Sequence, residues 1–170
     1  MIKQDISENQ VNIVYLALGS NLGNRINNIE KAKYFLNLEG IKIIKSSSCY
    51  ETLSWPDISK PKFINIVIQS NTKASPEKLL SIFKSIEKKL GRKKSLKNSP
   101  RTCDIDIISY NQQILNGSIT IPHKKMHKRN FVLIPLFELD KSWLHPKLRF
   151  SIRKLIFSLP INDIKSIKQI

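Results

Sequence analysis

The strongest constraint on this chain is the order in which its apolar residues change period. "VNIVYLALG" (11–19) is an almost continuous apolar run of strand length, closed by the turn "SNLGN". Ile26, Ile29, Ala32, Phe35 and Leu36 then recur at helical spacing until Gly40. "IKIIKSSSCYE" (41–51) and "FINIVIQSNT" (63–72) read as two further strands, joined by the proline-containing loop "TLSWPDISKPK". Ser75, Pro76 and Glu77 supply an N-cap, a first-turn proline and an acid at the positive helix end. Leu79, Leu80, Ile82, Phe83, Ile86 and Leu90 form the buried stripe of that helix, which Gly91 ends. "RTCDIDIISYN" (101–111) is a fourth strand. The order β-α-β-β-α-β is that of a ferredoxin-like α/β (α+β) sandwich, with two helices on one face of one sheet. Beyond it, "ITIPHKKMHKRNFVLIPLFELD" and "WLHPKLRFSIRKLI" are expected to add at least one helix and an edge strand. No internal repeat or low-complexity linker interrupts residues 11–170, so one domain is expected after a polar extension at 1–10.

Composition decides less. The net charge of +16 could serve a polyanionic partner such as nucleic acid or a triphosphate. Lysine is spread along the whole chain, however, which favours compositional drift as the source of most of the charge. Arginine is scarce, at 25, 92, 101, 129, 149 and 153, and its placement is the more informative signal. Cys49 and Cys103 form no CxxC pair and read as buried, reduced thiols. "MIKQDISENQ" has no apolar signal core, and "FVLIPLF" is short and broken by Pro135, so a soluble cytoplasmic protein with no membrane span is expected.

The fourth strand raises a chemical question. Side chains alternate along a strand, so Asp104, Asp106 and Ile108 share one face while Cys103, Ile105 and Ile107 share the other. Two carboxylates about 6.5 Å apart on one face repel unless a cation, an arginine or water lies between them. They could be solvated acids on an exposed face. With Arg101 beside them they also suit Mg²⁺, which takes one or two carboxylates and completes its shell with water and phosphate oxygens.

Four other segments admit a functional and a plain reading. "GRKKSLKNSPR" (91–101) could be a nucleic-acid patch, a solvated turn, or a phosphate clamp with Arg92 and Arg101 as its guanidinium forks. His123 and His127 stand at i and i+4, but without the glutamate of HExxH or a third ligand zinc is disfavoured. His123 with Arg129 facing phosphate, or a capped helix start after Pro122, fits as well. "GSNLGNR" (19–25) lacks the phosphate-loop endings and reads as a tight turn with Asn21 holding neighbouring backbone. Phe63 and Asn65 share a strand face, where they could stack on and hydrogen-bond a flat heterocycle or form a core edge.

In combination, "LALGSNLGNR", "SSCYET", "FINIVI", "GR" (91–92), "PRTCDIDI" (100–107) and "IPHKKMHKRNFVLIPLFEL" (121–139) resemble the 6-hydroxymethyl-7,8-dihydropterin pyrophosphokinases of folate biosynthesis. The pieces run in the family's order over about residues 13 to 139. The resemblance implies transfer of diphosphate from ATP to the pterin hydroxymethyl group, with AMP released and two Mg²⁺ ions held by Asp104 and Asp106. It implies catalytic roles for Arg92, Arg101, Asp104 and Asp106. Glu87, Arg92, Lys94, Arg101, Ile107, Thr120, His123 and Arg129 would contact ATP; Thr52, Phe63, Asn65 and Phe131 would form the pterin pocket. A monomer is implied. The chain departs from the family where the clamp loop usually reads R-W-G-P-R, here Lys97-Asn98-Ser99-Pro100-Arg101, and where Lys94 replaces an arginine. Ser54 and Pro56 stand where proline and glycine are common. Loop closure and nucleotide affinity are the properties in which these changes should tell.

RNA-recognition domains share the same element order and are the rival class. Their third strand carries paired aromatics with glycine, whereas "FINIVIQSNT" has one aromatic and no glycine. Paired aspartates would also repel an RNA backbone, so no nucleic-acid partner is expected.

Overall fold

The computed structural model describes residues 10–93 and 99–170. The polar extension, apart from Gln10, and Lys94 to Asn98 of the basic loop lie outside the described residues. The core element order is β1 (Asn12–Ser20), α1 (Arg25–Leu38), β2 (Lys42–Ser46), β3 (Tyr50–Thr52), β4 (Phe63–Thr72), α2 (Pro76–Lys89) and β5 (Asp104–Tyr110). One turn of 3₁₀ helix at Met126–Lys128 leads into α3 (Asn130–Leu139), followed by α4 (Ile152–Phe157), α5 (Ile161–Ser166) and β6 (Lys168–Gln169).

The strand expected over 41–51 is two strands. β2 pairs with the far half of β4 and β3 with its near half, so the break at Ser47 lets one chain segment follow a ten-residue partner. Ser47 covers the gap: its N–H donates to the Val67 carbonyl and its hydroxyl accepts from the Val67 N–H. All pairings are antiparallel, in the order β5-β1-β4-β3-β6, with β2 also on β4.

Both faces of the sheet are covered. Val14, Leu16, Leu18, Ile66 and Ile68 pack under α1 and α2 against Ile29, Leu36, Leu79 and Phe83. The Ser75 hydroxyl caps α2 as its sequence anticipates, but Ile26, counted in the α1 stripe, is exposed, because that helix buries only Ile29, Ala32 and Leu36. Tyr15, Val67 and Ile108 point the other way and meet α3 and α4 through Val132, Leu133, Leu136 and Leu155. Pro135 lies inside α3 rather than breaking it, and is buried. Cys103 is buried and Cys49 half-buried, both free; burial pushes the Cys103 thiol up to about 12, which keeps it protonated and inert. Among the described residues no helix is long and apolar enough to cross a membrane.

His145 ties the segment between α3 and α4. Its Nδ1 accepts from the Lys147 and Leu148 N–H groups at 3.3 and 3.1 Å, and burial holds its pKa below 6.5. The folded chain therefore favours the neutral ring, and the stability it contributes is complete above about 6.5 and is lost as pH falls below that value. His145→Phe should cost about 2 kcal/mol at pH 7.5 by stranding two donors. The gap in melting temperature between the variant and the unmodified protein should narrow at pH 5; a gap independent of pH would show that the ring does not titrate with folding.

Candidate active site

The end of the sheet that α3 leaves uncovered forms the floor of a cleft of about 360 Å³. Four strands contribute, and the register of β4, β1 and β5 sets the floor's chemistry. Gly19 of β1 pairs with Asn65 on one side and Asp104 on the other; Ala17 pairs with Val67 and Asp106. The middle row is thus small, flanked by an amide and two carboxylates. A Cβ built on Gly19 would stand 2.8 Å from Asn65 Oδ1 and 3.4 Å from Phe63 Cδ1, so only glycine leaves the amide where it is.

At the amide end, Asn65 Nδ2 donates to Thr52 Oγ1 at 2.8 Å, with both residues buried. Phe63 and Phe131 complete a flat, partly apolar end of the cleft. The four residues singled out for a heterocycle therefore come together.

At the acidic end, arginines lie beside the two carboxylates. Asp104 accepts from Arg92 at 2.8 Å and from Arg101 at 3.1 Å. Asp106 lies 3.4 Å from Arg129 Nη1 and 3.9 Å from His123 Nε2. Burial and the charge of Asp104 raise the Asp106 pKa, and burial lowers that of His123. Among the described residues no third His, Cys, Asp or Glu joins the pair to form a metal cluster. Two half-exposed carboxylates on an open cleft nonetheless fit Mg²⁺, a cation that needs few protein ligands when phosphate and water supply the rest.

Two local features aim these groups. β5 carries a bulge, with Tyr15 opposite Ser109 and Leu16 opposite Ile107, so Ile108 is left out of the ladder. Its carbonyl accepts from the His123 N–H at 3.2 Å, drawing the histidine to the same strand as Asp106. The segment after Pro122 is no helix start: a 3₁₀ turn around buried Met126 intervenes, and α3 begins only at Asn130. Asn21 holds remote rather than neighbouring backbone. It exchanges hydrogen bonds with Arg101 (2.8 and 3.1 Å) and donates to the Pro61 carbonyl at 3.1 Å, fastening the approaches to β4 and β5.

Two residues expected near nucleotide turn their side chains to protein partners. The Ile107 side chain is buried in the core beneath α1 and α2, so only its main chain could meet a ligand. Glu87, on α2, sits behind Arg92 at 2.6 Å and accepts the Ile105 N–H at 2.9 Å. Burial raises its pKa, and its geometry is that of a brace for Arg92 and β5. Glu87→Ala would strand the Ile105 N–H while Arg92 keeps Asp104, and should lower stability by about 2 kcal/mol, or about 4–8 °C in Tm; a melt within 2 °C of the unmodified protein would remove the bracing role. Thr120 and His123 line a second cleft of about 150 Å³ with His127 and Lys147; His123 Nε2 of this cleft lies 3.9 Å from Asp106, which lines the first. Leu53, Trp55 and Lys125 line the main cleft, though no sequence motif marks them.

The fold and this cleft have known counterparts. An HPPK-DHPS from Plasmodium falciparum, solved with pteroate, superposes with a TM-score of 0.75 at 16% identity over 94% of this chain and 46% of its own. This places the chain among mixed α/β proteins built on an antiparallel sheet. The family profile of 7,8-dihydro-6-hydroxymethylpterin-pyrophosphokinase (HPPK) matches residues 15–141. The chain is 37% identical to the 2-amino-4-hydroxy-6-hydroxymethyldihydropteridine pyrophosphokinase of Aquifex aeolicus over 89% of its length and 93% of that protein. It is 39% identical over 95% of its length to the folic acid synthesis protein fol1 of Pneumocystis carinii, of which it spans 22%. Against the bifunctional folate synthesis protein of Arabidopsis thaliana mitochondria, also 39% identical, it covers 23%. The chain spans less than a quarter of these two relatives. It belongs to the 7,8-dihydro-6-hydroxymethylpterin-pyrophosphokinase family.

Proposed function

We propose that this chain transfers the β,γ-diphosphate of ATP to the hydroxymethyl oxygen of 6-hydroxymethyl-7,8-dihydropterin, as a step of folate biosynthesis. A bond forms between the pterin oxygen and the β-phosphorus, the bond from that phosphorus to the α,β-bridging oxygen breaks, AMP leaves, and the hydroxyl proton passes to solvent. The observation that carries the reading is one cleft joining the Thr52, Asn65, Phe63 and Phe131 cluster to the Asp104 and Asp106 pair.

In this reading Asn65 and Thr52 recognise the heterocycle's hydrogen-bonding edge, and Phe131 and Phe63 cover its plane. Arg92, Arg101, His123 and Arg129 grip the phosphates, with Thr120 in the adjoining nucleotide cleft. Asp104 and Asp106 hold Mg²⁺, two ions by family resemblance, which would neutralise phosphate charge during transfer. Binding releases Arg92 and Arg101 from Asp104, and both then turn to the substrate. Otherwise the protein's work is positioning and exclusion of water. Lys94, beyond the described residues, takes its ATP role from the resemblance alone, as does the monomeric state. The sheet order β5-β1-β4-β3 with helices α1 and α2 on one face supports a ferredoxin-like description of residues 11–110, and the two cores sharing one sheet support a single domain over 11–170.

A product assay by ³¹P NMR with ATP, Mg²⁺ and the pterin tests the reading. AMP and a pterin diphosphate should appear only when Mg²⁺ and pterin are both present. ADP as the product would overturn diphosphate transfer.

A further inference from the structure

Trp55 sits in the loop between β3 and β4, half-exposed at the cleft, and two cations converge on its ring. Lys125 Nζ lies 5.3 Å from the ring centroid and Arg129 Cζ 5.7 Å. Arg129 is also 5.4 Å from the Phe131 ring, so its guanidinium is flanked by two aromatics. Lys125 and Arg129 carry like charges that would separate in water; the negative face of an indole offsets part of that repulsion.

The backbone between them is held as well. The Lys125 N–H donates to His123 Nδ1 at 3.2 Å, and the Arg129 N–H to the Met126 carbonyl at 3.1 Å, with Met126 fully buried. What remains over is donor capacity. Arg129 spends Nη1 on Asp106, while its buried Nε has no hydrogen-bond partner among the described residues. Lys125 forms no ion pair among the described residues, and it lines the same cleft as both aspartates. Two adjacent cations with spare donors suit the oxygens of a polyphosphate.

We infer that Trp55 is a positioning residue that holds Lys125 and Arg129 together as a paired phosphate grip, and that Lys125 is a phosphate contact in its own right. The inference rests on the proposed diphosphate transfer. It gives the loop on the heterocycle side a direct hold on the phosphate side.

Calorimetric titration with α,β-methylene-ATP and Mg²⁺, without pterin, reads the grip directly. Trp55→Leu and Lys125→Ala should each weaken binding by about 3- to 30-fold, the span of partly desolvated cation–π contacts. Trp55→Phe should restore most of the loss. In a Lys125→Ala, Arg129→Ala background, Trp55→Leu should add less than about twofold, because nothing remains for the indole to hold. Unchanged or tighter binding by Trp55→Leu, or a full effect in the double background, would overturn the inference. So would a variant whose pterin KM alone rises. Failure of the unmodified protein to bind the nucleotide would instead remove the functional reading, and the grip with it.

Discussion

Asp104→Ala or Asp106→Ala abolishes turnover, by about a thousandfold or more, and leaves a folded protein. The loss is that of the Mg²⁺ which the two carboxylates would hold against the phosphate chain. The fold survives because each carboxylate is half-exposed and removing one relieves its repulsion with the other. Arg92 keeps Glu87 when Asp104 is gone, and the partly buried Arg101–Asp104 and Arg129–Asp106 pairs are worth about 1–2 kcal/mol each. Steady-state assays across a Mg²⁺ titration, with a thermal melt of each variant, separate the two effects. EDTA should reproduce the loss in the unmodified enzyme. Near-normal activity in either variant would show that the aspartates do not hold the metal.

Gly19→Ala raises the pterin KM by about tenfold or more while nucleotide binding changes little. The added methyl would meet the Asn65 carbonyl oxygen at 2.8 Å, and Asn65 has little room to yield, because it is buried and tied to Thr52. The amide must turn or shift, and a misplacement of this size is costly where hydrogen bonds define a substrate's edge. Binding of pterin and of the ATP analogue, measured separately, checks the result. Equal affinity for pterin in the variant would mean that Asn65 does not read the heterocycle.

The candidate site was legible in residue types more than in places. The period-two rule alone puts Asp104 and Asp106 on one face, and Phe63 and Asn65 on one face, and the structure agrees. Residue chemistry offers Arg92, Arg101, His123 and Arg129 as phosphate contacts beside plainer readings, and the family resemblance selects among them. Neither reaches Glu87's actual position. A carboxylate on a helix stripe could face solvent or core, and only packing of α2 on β5 turns it to the Ile105 N–H and Arg92. Ile107 shows the converse: its neighbours lie in the cleft, but strand alternation sends its side chain under the helices.

Gly19 and Trp55 were hidden for another reason. In the chain, Gly19 is the end of a strand and the start of a turn. Its function as the low point between Asn65 and Asp104 exists only once β1 lies between β4 and β5 in this register. Trp55 is one aromatic in an irregular loop; its partners Lys125 and Arg129 are about seventy residues away, and no local pattern connects them.

The sequence by itself determined the element order, the caps of α2, and which side chains share a strand face, because periodicity and capping are local properties of the backbone. The tertiary structure decided the break of the second strand at Ser47, the bulge that brings His123 to Asp106, and the arginines that pair with each aspartate. Those depend on register and on contacts between segments far apart in the chain, which no local rule contains.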